Sequence, residues 1–229
     1  MARRRKSLAS RFFNPALGVV LAPAAALCLL AALGALWDAA GARKASAWFT
    51  AGFLGYGGLY SFGFLRLRRA YVLAHEMTHA AAAWMMGEKV LGLSVGKESG
   101  HVDLSRSNLF ISLAPYWVPF YAFAAVLAFR LAFGEPAPPA AKQAFLLVMG
   151  AAMAFHLLHT VESLWTARQS DLDGAGPVLS LSLIGLLNGL LLLAALKSLF
   201  PSTVSVSGSL NWAWGASSSA WASLLRAVS

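Results

Sequence analysis

The chain reads as long apolar runs separated by short polar or basic segments. Residues 1–14 form a basic start with Arg3, Arg4, Arg5, Lys6 and Arg11. The run from about Pro15 to Trp37 that follows is long enough to cross a bilayer, which takes about 20 apolar residues. Small residues at Ala39, Ala40 and Ala42 would suit a signal-peptide cleavage site, but the run exceeds a usual signal core, and a retained anchor is expected. A polar turn from Asp38 to Ser46 carries Arg43 and Lys44. A second apolar run, about Ala47 to Leu65, holds Gly52, Gly55, Gly57, Gly58 and Gly63, and such small residues permit close helix approach within a membrane. Residues 15–65 are thus expected to form two membrane helices, ending at the basic cluster Arg66, Arg68 and Arg69.

The pattern then changes. Residues from about Ala70 to Met86 predict a helix closed by Gly87. Val90, Leu91, Leu93 and Val95, the turn-like Gly96-Lys97-Glu98-Ser99-Gly100, and His101-Val102-Asp103-Leu104 predict a β-hairpin. Asn108 to Phe133 is apolar but interrupted by Pro115 and Pro119, which break or kink a helix. Broken backbone at membrane depth is tolerated where it is buried in protein or lines a cavity. After a proline-rich loop at 134–141, apolar segments run from about Ala144 to Trp165 and from about Val178 to Leu199. Residues 200–229, rich in Ser and carrying Trp212, Trp214 and Trp221, read as an interfacial or disordered tail. The fold expected is an all-α polytopic membrane protein of about six transmembrane helices, with a short β-hairpin after the 70–86 helix. Its membrane core is expected over 66–199.

Composition agrees with the pattern. Of 229 residues, 59% are hydrophobic and 12% charged, and mean hydropathy is +0.65. A soluble domain carries about 25% charged residues. The net charge of +9 does not point to nucleic acid, because the basic residues sit at the ends of apolar runs, where they serve as topology signals and contacts to lipid head groups. They place the N-terminus inside. The single cysteine, Cys28, excludes disulfides and cysteine-rich zinc sites, so a zinc ion here needs His and carboxylate ligands.

The chemistry concentrates in His75-Glu76-Met77-Thr78-His79. Histidines four apart share one face of a helix and suit one Zn²⁺, with the intervening glutamate placed to take a proton from water. Ionisable groups inside an apolar segment are costly and functional by default. A catalytic zinc needs a third protein ligand, for which Asp171 or Asp173 in Gln169-Ser170-Asp171-Leu172-Asp173-Gly174 is available. His156, His159 and Glu162 form a polar stripe on one face of their helix. A lone hairpin histidine such as His101 is more often a surface residue.

Together these residues resemble the site-2 protease family of intramembrane zinc metalloproteases, over about 70–190. The resemblance rests on the HExxH helix, the hairpin ending Gly100-His101-Val102, Ala114-Pro115-Tyr116 with Pro119, and an Asp-containing segment before a late helix. It implies His75 and His79 as zinc ligands, Glu76 as general base, and an aspartate of the later segment as third ligand. Leu172-Asp173-Gly174 spells the motif of the better-known branches without its preceding Asn and Pro. Gln169-Ser170-Asp171-Leu172 looks more like compact bacterial relatives, which favours Asp171. If 109–133 and 144–165 both span, however, Asp171 emerges on the face opposite Arg66–Arg69, whereas His75 lies only about six residues, roughly 9 Å, past Arg69. The loop at 166–176 then has to dip back into the membrane. His156 needs no such excursion and is the alternative ligand or transition-state donor.

The resemblance implies hydrolysis of a single-pass membrane protein, one zinc per chain, and residence in the lipid bilayer, expected to be a bacterial cytoplasmic membrane. The rival readings are a membrane-anchored zinc protease with an aqueous-facing site and Glu162 as third ligand, and a metal-binding transporter or scaffold without proteolysis.

Overall fold

The computed structural model describes residues 8–97, 99–133, 136–166 and 169–228. The chain is mostly helical, at 78%, with one small two-stranded antiparallel sheet. In order, the elements are α1 (Leu8–Gly41), α2 (Arg43–Ser61), α3 (Arg68–Met85), β1 (Val90–Val95), β2 (Gly100–Leu104), α4 (Leu109–Leu113), α5 (Phe120–Phe133), α6 (Pro139–Thr166), α7 (Pro177–Leu199) and α8 (Val206–Val228). Among the described residues, Phe12–Gly41 of α1 and the whole of α6 and α7 are long and apolar enough to cross a membrane. Leu109–Tyr116 and α5, bent by 79° at a short break, make a fourth if taken as one span. The chain is therefore built as a membrane protein. Helices α2 and α3 fall short of that standard, α2 through its glycines and basic start and α3 through Arg68, Arg69 and its own ionisable motif.

The chain forms two compact units. One contains residues 1–45 and 175–229, the other residues 46–174. In the first, α1 and α7 run parallel. Asn14 Nδ2 donates to Ala175 O at 3.0 Å, Ser182 Oγ donates to Gly18 O at 2.8 Å, and a Cβ on Gly189 would lie 2.8 Å from Cys28 Cβ. Pairings 14 with 175, 18 with 182 and 28 with 189 advance together along both helices. Small residues at the crossings let the backbones approach where water cannot drive association. The Ser- and Trp-rich tail is helical over α8, and the Trp212 ring covers Gly34 of α1.

The second unit carries the hairpin and the HExxH helix. Here α2 and α6 run parallel and α3 runs against both. A Cβ added to Gly150 would fall on the Phe49 carbonyl oxygen, and one added to Gly52 on that of Leu147, so the two glycines permit backbone contact between α2 and α6. Further along, the Tyr56 hydroxyl meets His159 Nε2 at 3.0 Å and the Tyr60 hydroxyl donates to Glu162 Oε2 at 2.7 Å. On α3 the order reverses: Arg68 meets Glu162 at 3.5 Å, while Tyr71 stacks on His159 with ring centroids 5.3 Å apart. Gly150→Ala is expected to destabilise the protein by about 1–3 kcal/mol through overpacking. Gly57→Ala, whose methyl meets nothing within 4 Å, should be neutral or mildly stabilising. Unfolding in detergent reads both.

Pro115 and Pro119 produce the predicted break. Asn108 caps α4, its Oδ1 accepting the Ile111 N–H at 2.9 Å. A 3₁₀ turn over Ala114–Tyr116 follows, and α5 starts beyond Pro119. The hairpin also forms, with Val95 paired to Gly100 and Leu93 to Val102. Gly87 ends α3 with φ +75, and the Glu88 N–H closes the turn on Ala83 O at 2.8 Å.

Candidate metal centre

The i, i+4 spacing of His75 and His79 on α3 sets their rings 4.8 Å apart, edge to face. Asp171, in a 3₁₀ turn over Ser170–Leu172, reaches both: its Oδ2 lies 3.4 Å from His75 Nε2 and 3.5 Å from His79 Nε2. Ligands about 2.0–2.2 Å from a tetrahedral zinc stand roughly 3.3–3.6 Å from each other, which these separations match. All three ligand-type atoms lie within 4.8 Å of one another.

Protonation strengthens the fit. His79 Nδ1–H donates to the Ile111 carbonyl at 2.8 Å. In the neutral ring this leaves the Nε2 lone pair facing the Asp171 carboxylate, an arrangement that calls for a cation or a proton between them. His75 Nδ1 is buried and makes no hydrogen bond among the described residues, so Nε2 is its one engaged nitrogen. Burial disfavours the charged form of Asp171, but where a proton rather than a cation fills that gap, N–H groups at His75 and His79 outweigh burial and hold the carboxyl well below the usual carboxylate range. The three side chains together could hold a metal ion.

The break at Pro115 and Pro119 supplies the surroundings. Tyr116, with no exposed surface, places its hydroxyl 2.9 Å from both Asp171 Oδ2 and Gln169 Oε1. Gln169 is itself held, donating from Nε2 to Ser163 O at 2.9 Å. The broken segment thus holds His79 through the Ile111 carbonyl and Asp171 through the Tyr116 hydroxyl. No single motif announces either contact in the sequence; the Pro-Tyr-Trp-Val-Pro stretch marks only the break.

Glu76 is buried and not in the ligand group. It lines a cleft of about 430 Å³ together with His75, Tyr71, Arg68, Gly100 and His159.

Compared with protein-family models, with curated proteins and with solved structures, the chain matches none. The functional reading therefore rests on the residues themselves.

Other candidates from the sequence fall elsewhere. Asp173 is exposed at the end of the 3₁₀ turn. His156 is buried beside a cavity of about 10 Å³ lined also by His75 and Thr78, and is not in the ligand group. Glu162 is engaged with Tyr60 and Arg68, and His101 is exposed, 3.9 Å from Asp103. Asp171 reaches the histidines because α6 runs against α3 and ends beside its N-terminal turn.

Proposed function

We propose that the protein is a multi-pass membrane zinc metalloprotease that hydrolyses peptide bonds of membrane-embedded protein substrates, as the resemblance to site-2 proteases implies. One zinc per chain is held by His75, His79 and Asp171, and Glu76 is the general base. The observation that supports this reading is the meeting of three ligand-type atoms from two separate segments, with one of them, on His75, sharing a cleft with the buried Glu76.

When bound, the metal supplies Lewis acidity toward water and toward the scissile carbonyl. The carboxylate of Glu76 receives the proton of the attacking water and passes it to the departing amine. Tyr116 and Ile111 hold Asp171 and His79 in orientation, the role that outer partners of metal ligands play. A helical substrate keeps its carbonyls hydrogen-bonded, so a single-pass membrane protein has to unwind locally to present one. Among the described residues no third strand pairs with the hairpin, so an unwound strand can add to its edge. Its turn residues Ser99 and Gly100 lie on the cleft.

Counting α2 and α3 with the three long apolar helices and the bent pair gives six membrane segments. The basic residues at 3–6 and at 66–69 put the N-terminus and the cleft mouth on the cytoplasmic side of a bacterial membrane.

The test is fragment release in vesicles from a peptide with one apolar helix weakened at its centre. The expected result is cleavage that stops when zinc is chelated and resumes when it is returned. Cleavage at the same rate without metal would overturn the proposal.

A further inference from the structure

Besides packing Val90 and Leu104 near Ala82 and Ala83 of α3, the hairpin sets one glycine against the glutamate of that helix. A Cβ built on Gly100 would lie 2.8 Å from Glu76 Cγ, 2.9 Å from Val72 Cγ1 and 2.8 Å from Ser94 O. Real Cβ atoms do not come so close, so this position admits no side chain unless a neighbour moves. Two of those neighbours belong to α3: Glu76 itself and Val72, one turn before it. The third belongs to the facing strand of the hairpin, to which Gly100 is tied through its pairing with Val95. Backbone of β2 therefore rests directly on the methylene stem of Glu76, and this contact forms part of the wall of the cleft.

We propose that Gly100 is a positioning residue for Glu76: the first residue of β2 packs on the glutamate stem and fixes where its carboxylate points. This deepens the metalloprotease reading and rests on it. Glu76 has rotamer freedom of its own and belongs to no ligand group, so its aim depends on what bounds its stem. On one side that bound is the hairpin. Seating of the hairpin and alignment of the base are then one event, and a strand pairing with the hairpin edge would steady both.

The experiment compares the full-length zinc-loaded wild type with Gly100→Ala, Val72→Leu and Gly57→Ala. Val72→Leu presses on the same contact from the helix side and leaves the hairpin backbone untouched, which keeps the test open if Gly100→Ala does not accumulate. Gly57→Ala controls for replacing a glycine where the methyl meets nothing within 4 Å. Three quantities are read: zinc content, kcat and KM for the vesicle peptide, and binding of acetohydroxamic acid against 2-mercaptoethanol. On binding, the hydroxamic acid gives its O–H proton to the Glu76 carboxylate and meets the metal as the anion; the thiol gives its proton to buffer and does not depend on where Glu76 points.

Gly100→Ala and Val72→Leu are expected to keep zinc and KM, lose about 10–100-fold in kcat, as misplacing a catalytic group by about 1 Å does, and lose hydroxamate affinity while keeping thiol affinity. Gly57→Ala should match wild type. Wild-type kcat and hydroxamate affinity in either contact variant would overturn the inference and leave the protease reading standing. So would equal loss of thiol and hydroxamate binding, which would mark a collapsed site. A wild type that neither holds zinc nor cleaves would instead overturn the reading beneath it.

Discussion

Glu76→Gln is expected to lower peptide hydrolysis by about 10²–10⁴-fold, the usual contribution of a positioned acid–base group, while zinc stays bound. Glutamine matches glutamate in shape and remains polar, so it fits the buried position on α3 and keeps contact with Gly100. What it cannot do is accept a proton. Glu76 is absent from the ligand group, so the substitution leaves His75, His79 and Asp171 in place. The measurement is the rate of fragment release alongside metal content in the same preparation. A transporter or scaffold has no use for a base at this position, and in such a protein the variant would retain full function. Undiminished cleavage by the variant would remove Glu76 from the mechanism.

The second large effect concerns metal. His75→Ala and Asp171→Ala are each expected to drop zinc from about one per chain to near none, since two remaining ligands fall below the three that a catalytic zinc requires. Asp173→Ala and His156→Ala should keep it. Asp171 puts one oxygen within 3.5 Å of both imidazole nitrogens, while Asp173 is exposed and His156 lies outside the ligand group. Elemental analysis of purified variants decides the assignment. Zinc retained by Asp171→Ala and lost by Asp173→Ala or His156→Ala would overturn this ligand set.

Local features of the chain were legible in sequence because local physics governs them. Histidine spacing fixes a shared helix face whatever surrounds it, prolines at 115 and 119 forbid a continuous helix, and a Gly-rich turn between apolar alternations makes a hairpin. Helix direction was less accessible. Whether Asp171 meets His75 depends on α6 running against α3, a relation settled by contacts far apart in sequence, such as Arg68 with Glu162. The stripe on α6 also divides in a way that periodicity does not reveal: His159 and Glu162 satisfy Tyr56 and Tyr60 of α2, while His156 faces a small separate cavity. Gly100 left no signal either, since a glycine at a hairpin turn looks the same whether or not a catalytic side chain lies beneath it.

The directions of α2, α3 and α6 carry a consequence for the bent segment between α3 and α6. On the proposed membrane reading, α2 and α6 run the same way and α3 opposes them, so α6 departs from the face at which α3 arrives. The stretch between them, Leu109–Phe133 with its 79° bend, must then enter and leave by one face as a re-entrant loop. The Ile111 carbonyl and the Tyr116 hydroxyl, which touch His79 and Asp171, would thus be carried on a segment anchored at a single face.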